Sequence, residues 1–426
     1  MKKRYYFLGI CGISMSTLAI FLKKQGNIVF GGDRNCDGKT ALFLKQNGID
    51  IDKKINRKRI KEAEIVVCSS AIKDDNPQKI LAIKFEKTIL SRGQVLGEIA
   101  KKYKNVIAVA GSHGKTTTTA LIYEVLKYAK KKPTLHLGGF MIENGKNYEI
   151  GEKEFFVTEA CEYCDNFLCL KPQIAVVTNI EKEHMDYFKT FERQLLSFRK
   201  FKNQSEIVID STNGYTAKNI SHSDFGGLNF FLCKNKEIVM DLHMQICEEV
   251  NVFNVIFAYQ VAKKLGISDD VCKRAFENFK GVEMRFQRVK SQHFDNVFCD
   301  YAHHPTEILK TIETSNKIFL KKQVVFIFQP HTFSRTKTLL NDFVNVLSQT
   351  QKLVLFKTYS AREKNSDGIS AFELAKILRT FGKSVSYFSR AGKLCKFLQK
   401  FDKDTVIIFV GAGDMQDKLN KLGFIS

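Results

Sequence analysis

Short apolar runs that end in glycine-bearing turns, each followed by a helical repeat, recur along the whole chain. Residues 5–8 form the first run, apolar throughout, which predicts a strand buried on both faces. A turn with Gly9 and Gly12 follows, then a helix through Lys24. Residues 27–30 predict the next strand, with Asp33 just past its end, and residues 64–69 another. This is the alternation of a doubly wound sheet. The pattern restarts near Asn105 with a strand over 106–110, a loop over 111–114 and a helix over 115–128. Strands over 155–158 and 173–178 follow, then helices over 251–265 and 269–279. A third round has a strand over 297–300, a helix over 306–314 capped by Thr306, a strand over 324–328 and a helix over 336–347. Strands over 353–356 and 405–410 complete it, the last running into Gly411-Ala412-Gly413-Asp414.

The expected fold is therefore α/β with three domains, over residues 1–97, 98–282 and 283–426. The first and last are Rossmann-like and the central one has a phosphate-binding P-loop. A length of 426 residues suits that number at about 150 residues per domain.

Composition adds limits. Hydrophobic residues at 44% allow ordinary cores, and no run is long enough to span a membrane. A basic start followed by a short, glycine-rich apolar stretch does not make a signal peptide, so membrane insertion is not expected and a cytoplasmic location is. The formal net charge is +22, but the lysines are scattered and no arginine-rich arm exists. The surplus suits small anionic substrates better than specific nucleic-acid binding, which is not expected. Eleven irregularly spaced cysteines read as reduced thiols rather than a disulfide framework. Cys161 and Cys164 form a Cys-x-x-Cys without a second pair at zinc-site spacing.

The strongest chemical signal is Gly111-Ser112-His113-Gly114-Lys115-Thr116-Thr117, between an apolar strand and a helix. Glycines there bring backbone N–H groups close to phosphate oxygens, and the helix N-terminus adds positive potential. Lys115 is placed to reach phosphates, and a Thr116 or Thr117 hydroxyl to hold Mg²⁺. The turn with Gly9, Gly12 and Ser14 is weaker. It lacks two glycines of a dinucleotide fingerprint, and it suits a nucleotide-sugar diphosphate, NAD or a plain strand–helix turn. Glu159 and His184 each follow a predicted strand, at the sheet edge where α/β sites lie. A carboxylate and an imidazole there suit a metal held against phosphates, or simply a helix cap and an exposed loop. Two more loops carry imidazoles at strand ends: Asp300-Tyr301-Ala302-His303-His304-Pro305-Thr306-Glu307 and Phe328-Gln329-Pro330-His331-Thr332-Phe333-Ser334-Arg335.

These motifs, with Thr158-Glu159-Ala160-Cys161-Glu162-Tyr163, Asn179 to Asp186, Asn251 to Asn254, Met284-Arg285-Phe286-Gln287 and Gly411 to Asp414, resemble the Mur ligase family over essentially the whole chain. Within the family, the two imidazole-bearing loops point to the branch that adds L-alanine. The resemblance implies ATP-dependent amide formation between UDP-N-acetylmuramate and L-alanine in peptidoglycan synthesis, with Mg²⁺. It implies ATP contacts from Gly111, Ser112, His113, Gly114, Lys115, Thr116, Thr117, Asn251, Asn254 and Arg285. Thr116, Glu159 and His184 are the implied metal ligands, and Lys115, Glu159, His184 and Arg285 the catalytic set. Gly9, Gly12, Ser14, Asp33, Ser69, Ser70, Arg92 and His136 are implied to face the UDP-sugar. Tyr301, His331 and Arg335 are implied to receive the amino acid, with His303 or His304 as proton acceptor. Cys11, Ser14, Met284 and Thr332 depart from the pattern common in the family. A ligase attaching a tripeptide to the same sugar, a dehydrogenase and a nucleic-acid-dependent ATPase are the other readings. The expected partners are small molecules, with the chain a monomer or weak homodimer.

Overall fold

A computed structural model describes residues 2–34, 36, 38–223, 226–361, 363–365 and 368–425. Met1 and Ser426, the outer ends of the first and third expected domains, lie outside the described residues. The chain divides into two compact units, one of Met1–Asn219, Phe230–Leu242 and Val250–Lys280, the other of Ile220–Asn229, His243–Glu249 and Gly281–Ser426.

The first unit holds two parallel sheets. One has the strand order Asp50–Asp52, Ile28–Gly32, Arg4–Leu8, Ile65–Cys68, Thr88–Ser91. The other runs Ile207–Ile209, Ile174–Val177, Asn105–Ala110, Phe155–Glu159, Thr134–His136, Tyr148–Glu149, with only the final strand antiparallel. Their central strands, Arg4–Leu8 and Asn105–Ala110, are apolar and buried over all but their first residues because both faces are covered. One continuous core joins Phe7, Leu18 and Val67 from the first sheet to Phe156, Phe167 and Phe198 around the second. The helix Arg92–Ala100 runs across the expected boundary at residue 97. Close packing fixes that helix, because a Cβ on Gly97 would lie 2.3 Å from the carbonyl oxygen of Cys169.

The second unit is built on a six-stranded sheet in the order Gln287–Val289, Asn296–Asp300, Val406–Val410, Val324–Phe328, Lys352–Phe356, Val385–Phe388. Asp300 and Phe328 both pair with Val410, so three strands end level at one edge.

Several elements differ from the sequence reading. The helix expected over 336–347 is two helices, Phe333–Thr338 and Leu340–Leu347, broken at Leu339. Thr332 accepts a hydrogen bond from Arg335 N and so starts the first helix early, which puts Arg335 in a helical first turn rather than a loop. The helix after Asp300 is capped by His304, not Thr306. Pro305 takes the first helical position and Glu307 closes a reciprocal capping box. Tyr215–His222, Leu228–Lys234 and Glu237–Met244 form a three-stranded sheet, although no element is expected there. Its first strand is largely exposed, so it carries little of the apolar signal that reveals a buried strand.

Candidate active site

The phosphate-loop expectation maps onto a tightly constrained turn in the first unit. Strand Asn105–Ala110 ends in Gly111 at φ 131°, and Gly114 at φ 82° starts helix Lys115–Tyr128. A Cβ on Gly111 would lie 2.2 Å from Thr178 Oγ1, and one on Gly114 2.5 Å from Asn254 Oδ1, so neither position tolerates a side chain. Residues after strand Ile174–Val177 lace the loop in place. Ser112 N donates to the carbonyl oxygen of Asn179 at 3.0 Å, and His113 N to the Asn179 side chain at 2.9 Å. Glu181 N donates to Ser112 Oγ at 2.8 Å, and His113 Nε2 lies 3.3 Å from the Glu181 carboxylate. Thr116 and Thr117 are buried in the first helical turn.

Lys115 Nζ points back into the loop. It donates to the carbonyl oxygen of Gly111, to that of Ser112 at 3.2 Å, and to both carboxylate oxygens of Glu162 at 3.1 and 3.2 Å. Burial is the largest influence and works against its charge, but Glu162 first, and Cys161 and Glu183 after it, together outweigh burial and raise its pKa. Glu162 is the converse case. Burial pushes its carboxyl up, yet Lys115 and then His184 bring it down to about 2. His184 Nε2 lies 3.4 Å from Glu162 Oε1, and its ring packs on Tyr163 at 4.8 Å between centroids. His184 sits at φ 55°, a conformation a non-glycine residue adopts under constraint. That constraint comes from the ties Tyr163 OH→Asp186 at 3.0 Å and Tyr187 OH→Asp165 at 2.6 Å. Single ligand atoms of Glu162, Glu183 and His184 all lie within 4.8 Å of one another. This set is mostly oxygen and anionic, which fits a hard divalent cation. Glu159 stands apart, its Oε1 accepting from Gly138 N at 2.6 Å. It does share the edge of the sheet, paired with Val109 at the end of the phosphate-loop strand.

Asn251 and Asn254 lie behind this loop on helix Asn251–Lys264. Asn254 accepts from Thr118 Oγ1 at 3.1 Å and donates to Asn251 Oδ1 at 2.8 Å. They brace the start of the phosphate helix, beside Gly114 and Thr118.

Three of the expected nucleotide-sugar residues also come together. Arg92 donates to Ser14 Oγ at 3.3 Å, Ser14 meets His136 Nε2 at 2.9 Å, and His136 Nδ1 meets Thr158 Oγ1 at 2.8 Å. Thr158 Oγ1 then donates to the carbonyl oxygen of Glu159 at 3.0 Å. This direction makes Ser14 the donor to Nε2 and leaves the proton on Nδ1. Burial first, and Arg92 second, hold the imidazole neutral by lowering its pKa to about 3. At the mouth of this turn, Cys11 N donates to Asp33 Oδ2 at 3.0 Å and Gly9 adopts φ 77°. Ser70 Oγ accepts from Asn166, which also binds Gly93 N, while Ser69 Oγ accepts from Ala71 N.

In the second unit the level strand ends present three loops. Asp300 shapes the first, accepting from Ala302 N at 2.8 Å and Thr311 Oγ1 at 3.0 Å. Tyr301 is 38% exposed, with Arg285 Cζ 5.7 Å from its ring centroid. Arg285 lies between Met284 and Phe286, both at positive φ. His303 lies 3.6 Å from Glu307 and 6.0 Å, ring to ring, from His331. Arg335 donates to His331 Nδ1 at 3.3 Å. Burial first and Arg335 among the nearby charges lower the pKa of His303 and of His331 to about 4. Gln329 locks the third loop to the second, accepting from Met415 N at 2.9 Å and donating to Asp414 at 3.1 Å. Glu248 faces Asp300, Arg285 and Glu307, and burial, followed by Asp300, pushes its carboxyl well above the usual range.

Comparison with known proteins fits this geometry. The Mur ligase family catalytic domain matches residues 4–104, the Mur ligase middle domain 109–209 and the Mur ligase glutamate ligase domain 284–413. The UDP-N-acetylmuramate–L-alanine ligase of Caldicellulosiruptor bescii is 38% identical, over 98% of this chain and 97% of that one. The chain belongs to the Mur ligase family. The crystal structure of the UDP-N-acetylmuramate–alanine ligase MurC from Thermotoga maritima superposes with a TM-score of 0.85 at 26% identity, covering 98% of both chains. A murein peptide ligase from Psychrobacter arcticus shares the fold, with a TM-score of 0.72 at 22% identity over 100% of this chain and 99% of its own.

Against this Mur ligase frame, the structure gathers Lys115 with His184, Ser14 with Arg92 and His136, and Tyr301 with Arg285, His331 and Arg335. It does not bring Glu159 into the Lys115 cluster. Glu162, Glu183 and Asn179 hold places there that sequence reasoning missed. All three lie inside quoted motifs, but nothing in their spacing separates them from Glu159 or Glu181. Their selection depends on the left-handed turns at Cys164, Asp165 and His184. Cys161 and Cys164 take no part in the Glu162–Glu183–His184 group, and all eleven cysteines are free thiols.

Proposed function

We propose that this Mur ligase joins L-alanine to the carboxylate of UDP-N-acetylmuramate at the expense of ATP. The reading rests on the buried Lys115 cradle beside a carboxylate–imidazole cluster, in a chain related over its whole length to L-alanine-adding ligases. The lactyl carboxylate takes the γ-phosphoryl group of ATP, giving an acyl phosphate and ADP. The free amine of alanine attacks that carbonyl, and phosphate leaves with the cleaved C–O bond. Lys115 and the N–H groups at the start of helix Lys115–Tyr128 stabilise charge on the phosphates. Thr116, Glu159, Glu162, Glu183 and His184 are the residues available to Mg²⁺, which neutralises phosphate charge when bound. Arg335 offers a two-pronged donor to the alanine carboxylate, beside His331 and the Tyr301 ring. Attack requires alanine as the free amine. His303, its pKa lowered to about 4, is too weak a base to take the ammonium proton itself, and as a neutral imidazole beside Glu307 it orients the amine by a hydrogen bond. Gly9, Gly12, Asp33, Ser14, Arg92 and His136 serve the UDP-sugar. The chain works in the cytoplasm, a reading supported by its free thiols. No helix among the described residues is long and apolar enough to cross a membrane.

The test is ADP release as a function of substrate. ADP should appear stoichiometrically with amide product and only when UDP-N-acetylmuramate and L-alanine are both present. Equal turnover with a tripeptide in place of alanine, or turnover without the sugar, would sink the reading.

A further inference from the structure

Lys115 carries three N–H bonds, and four protein acceptors already surround them: the carbonyl oxygens of Gly111 and Ser112 and both oxygens of Glu162. A nucleotide phosphate needs this same ammonium. An arriving polyphosphate therefore competes with a carboxylate of its own charge sign. The two carbonyls belong to a loop pinned by Asn179 and cannot withdraw. Glu162 is the partner that can yield.

It cannot yield to water. Its side chain is 1% exposed. Its backbone is fixed on both sides, with Ala160 N donating to Val109 at 2.8 Å, Phe167 N to Cys161 at 3.0 Å and Asp165 N to Glu162 itself at 3.0 Å. A buried carboxylate stripped of its cation is strongly unfavourable, so the displaced group must find another positive partner. His184, 3.4 Å away, and Glu183 stand beside it, and their ligand atoms and those of Glu162 all lie within 4.8 Å of one another, a set that suits a bound cation.

We propose that Glu162 is a placeholder anion. It occupies the phosphate position on Lys115 before nucleotide arrives, keeping the ammonium charged and aimed. It then passes to the cation that accompanies the phosphates, beside Glu183 and His184. This is a positioning role that rests on the ATP-dependent reading above, and it concerns a residue outside the expected ligand set. Metal-free ATP must displace Glu162 with no replacement partner to offer, whereas ATP with Mg²⁺ brings one. Glu162 thus makes the site discriminate against nucleotide without metal.

The experiment is calorimetric ATP binding to the intact chain, in EDTA and in saturating Mg²⁺, for wild type, E162Q, E162D and K115A. E162Q should bind metal-free ATP about tenfold more tightly than wild type, the scale of one charge-assisted hydrogen bond. Its affinity for ATP with Mg²⁺ should be unchanged or weaker, so the metal dependence of binding collapses. E162D, with its carboxylate drawn back by one methylene, should fall between the two. Circular dichroism and undiminished UDP-N-acetylmuramate binding establish that each variant is folded. If E162Q folds and binds metal-free ATP no more tightly than wild type, the placeholder role is wrong. If E162Q fails to fold, E162D decides by the same criterion. If K115A binds ATP as tightly as wild type does, the phosphate-site reading itself falls, and the placeholder with it.

Discussion

The phosphate cradle of the first unit and the imidazole loops of the second are built on opposite principles. Around Lys115 the donors are already engaged, the backbone is laced to a neighbouring strand end, and the carboxylate partner is buried. Around Tyr301 the side chains are half-exposed, the two imidazoles are neutral, and Arg335 donates to a ring nitrogen rather than to a carboxylate. A rigid, preorganised site suits a highly charged, invariant group, because reorganising dipoles during reaction is costly. A site for a small zwitterion selects mainly by shape and by one ion pair. Damage should therefore be catastrophic in the first region and graded in the second.

The largest expected effect is K115A. Turnover should fall by at least about 10²-fold, since charge contacts of this kind are worth that much. ATP should bind more weakly, while UDP-N-acetylmuramate binding stays within about twofold. A variant retaining more than about a tenth of the wild-type rate would erase the contrast between the regions.

Substrate change in the second region is milder. Glycine in place of alanine removes one methyl group, which a small pocket discriminates by about 10- to 200-fold in kcat/KM. Glycine should be a slow substrate and bulky amino acids inert. Competition assays measuring both products would show a far larger ratio if the pocket were as preorganised as the phosphate cradle.

Next comes R335K, which keeps the charge and loses the planar fork. The KM for L-alanine should rise by about tenfold, with the KM values for ATP and UDP-N-acetylmuramate within about twofold of wild type. Varying each substrate in turn measures this, and an unchanged alanine KM would place the amino-acid site elsewhere.

The smallest effect is on stability against pH. His303 and His331 have folded pKa values lowered to about 4, below the ordinary 6.5. Below 6.5 the unfolded chain takes up protons that the folded chain refuses, so stability present above that pH is lost as pH falls toward 4. The melting temperature of wild type should drop across this interval. The double substitution H303N/H331N should flatten the drop by a few degrees. Parallel curves would show that both imidazoles titrate normally in the fold.

The two regions also differed in how far they could be read from the chain. Residues 111–117 are one contiguous motif between a strand and a helix, so local sequence contains the whole constraint, and the helix begins at Lys115 as expected. The edge of the second unit draws on three strand ends far apart in sequence, so only its imidazole-bearing loops were visible. Even there the helix starts differ from the expected ones: the Pro305 ring and the Thr332 hydroxyl, not hydrophobic periodicity, set where the helices begin.

By itself the sequence determined the alternating elements, the glycines that a close-packed phosphate turn requires, and the lysine that serves it. These follow from steric and periodic rules acting over a few residues. Only the tertiary structure decided which carboxylate meets that lysine. Glu159 and Glu162 are one short turn apart, and local pattern treats them alike. The left-handed residues Cys164, Asp165 and His184, held by Tyr163, Tyr187 and Asp186, swing Glu162 inward and leave Glu159 on Gly138. Charge pairing in a buried site is set by such long-range geometry, because removing water makes the energy of each ion depend on which few groups surround it.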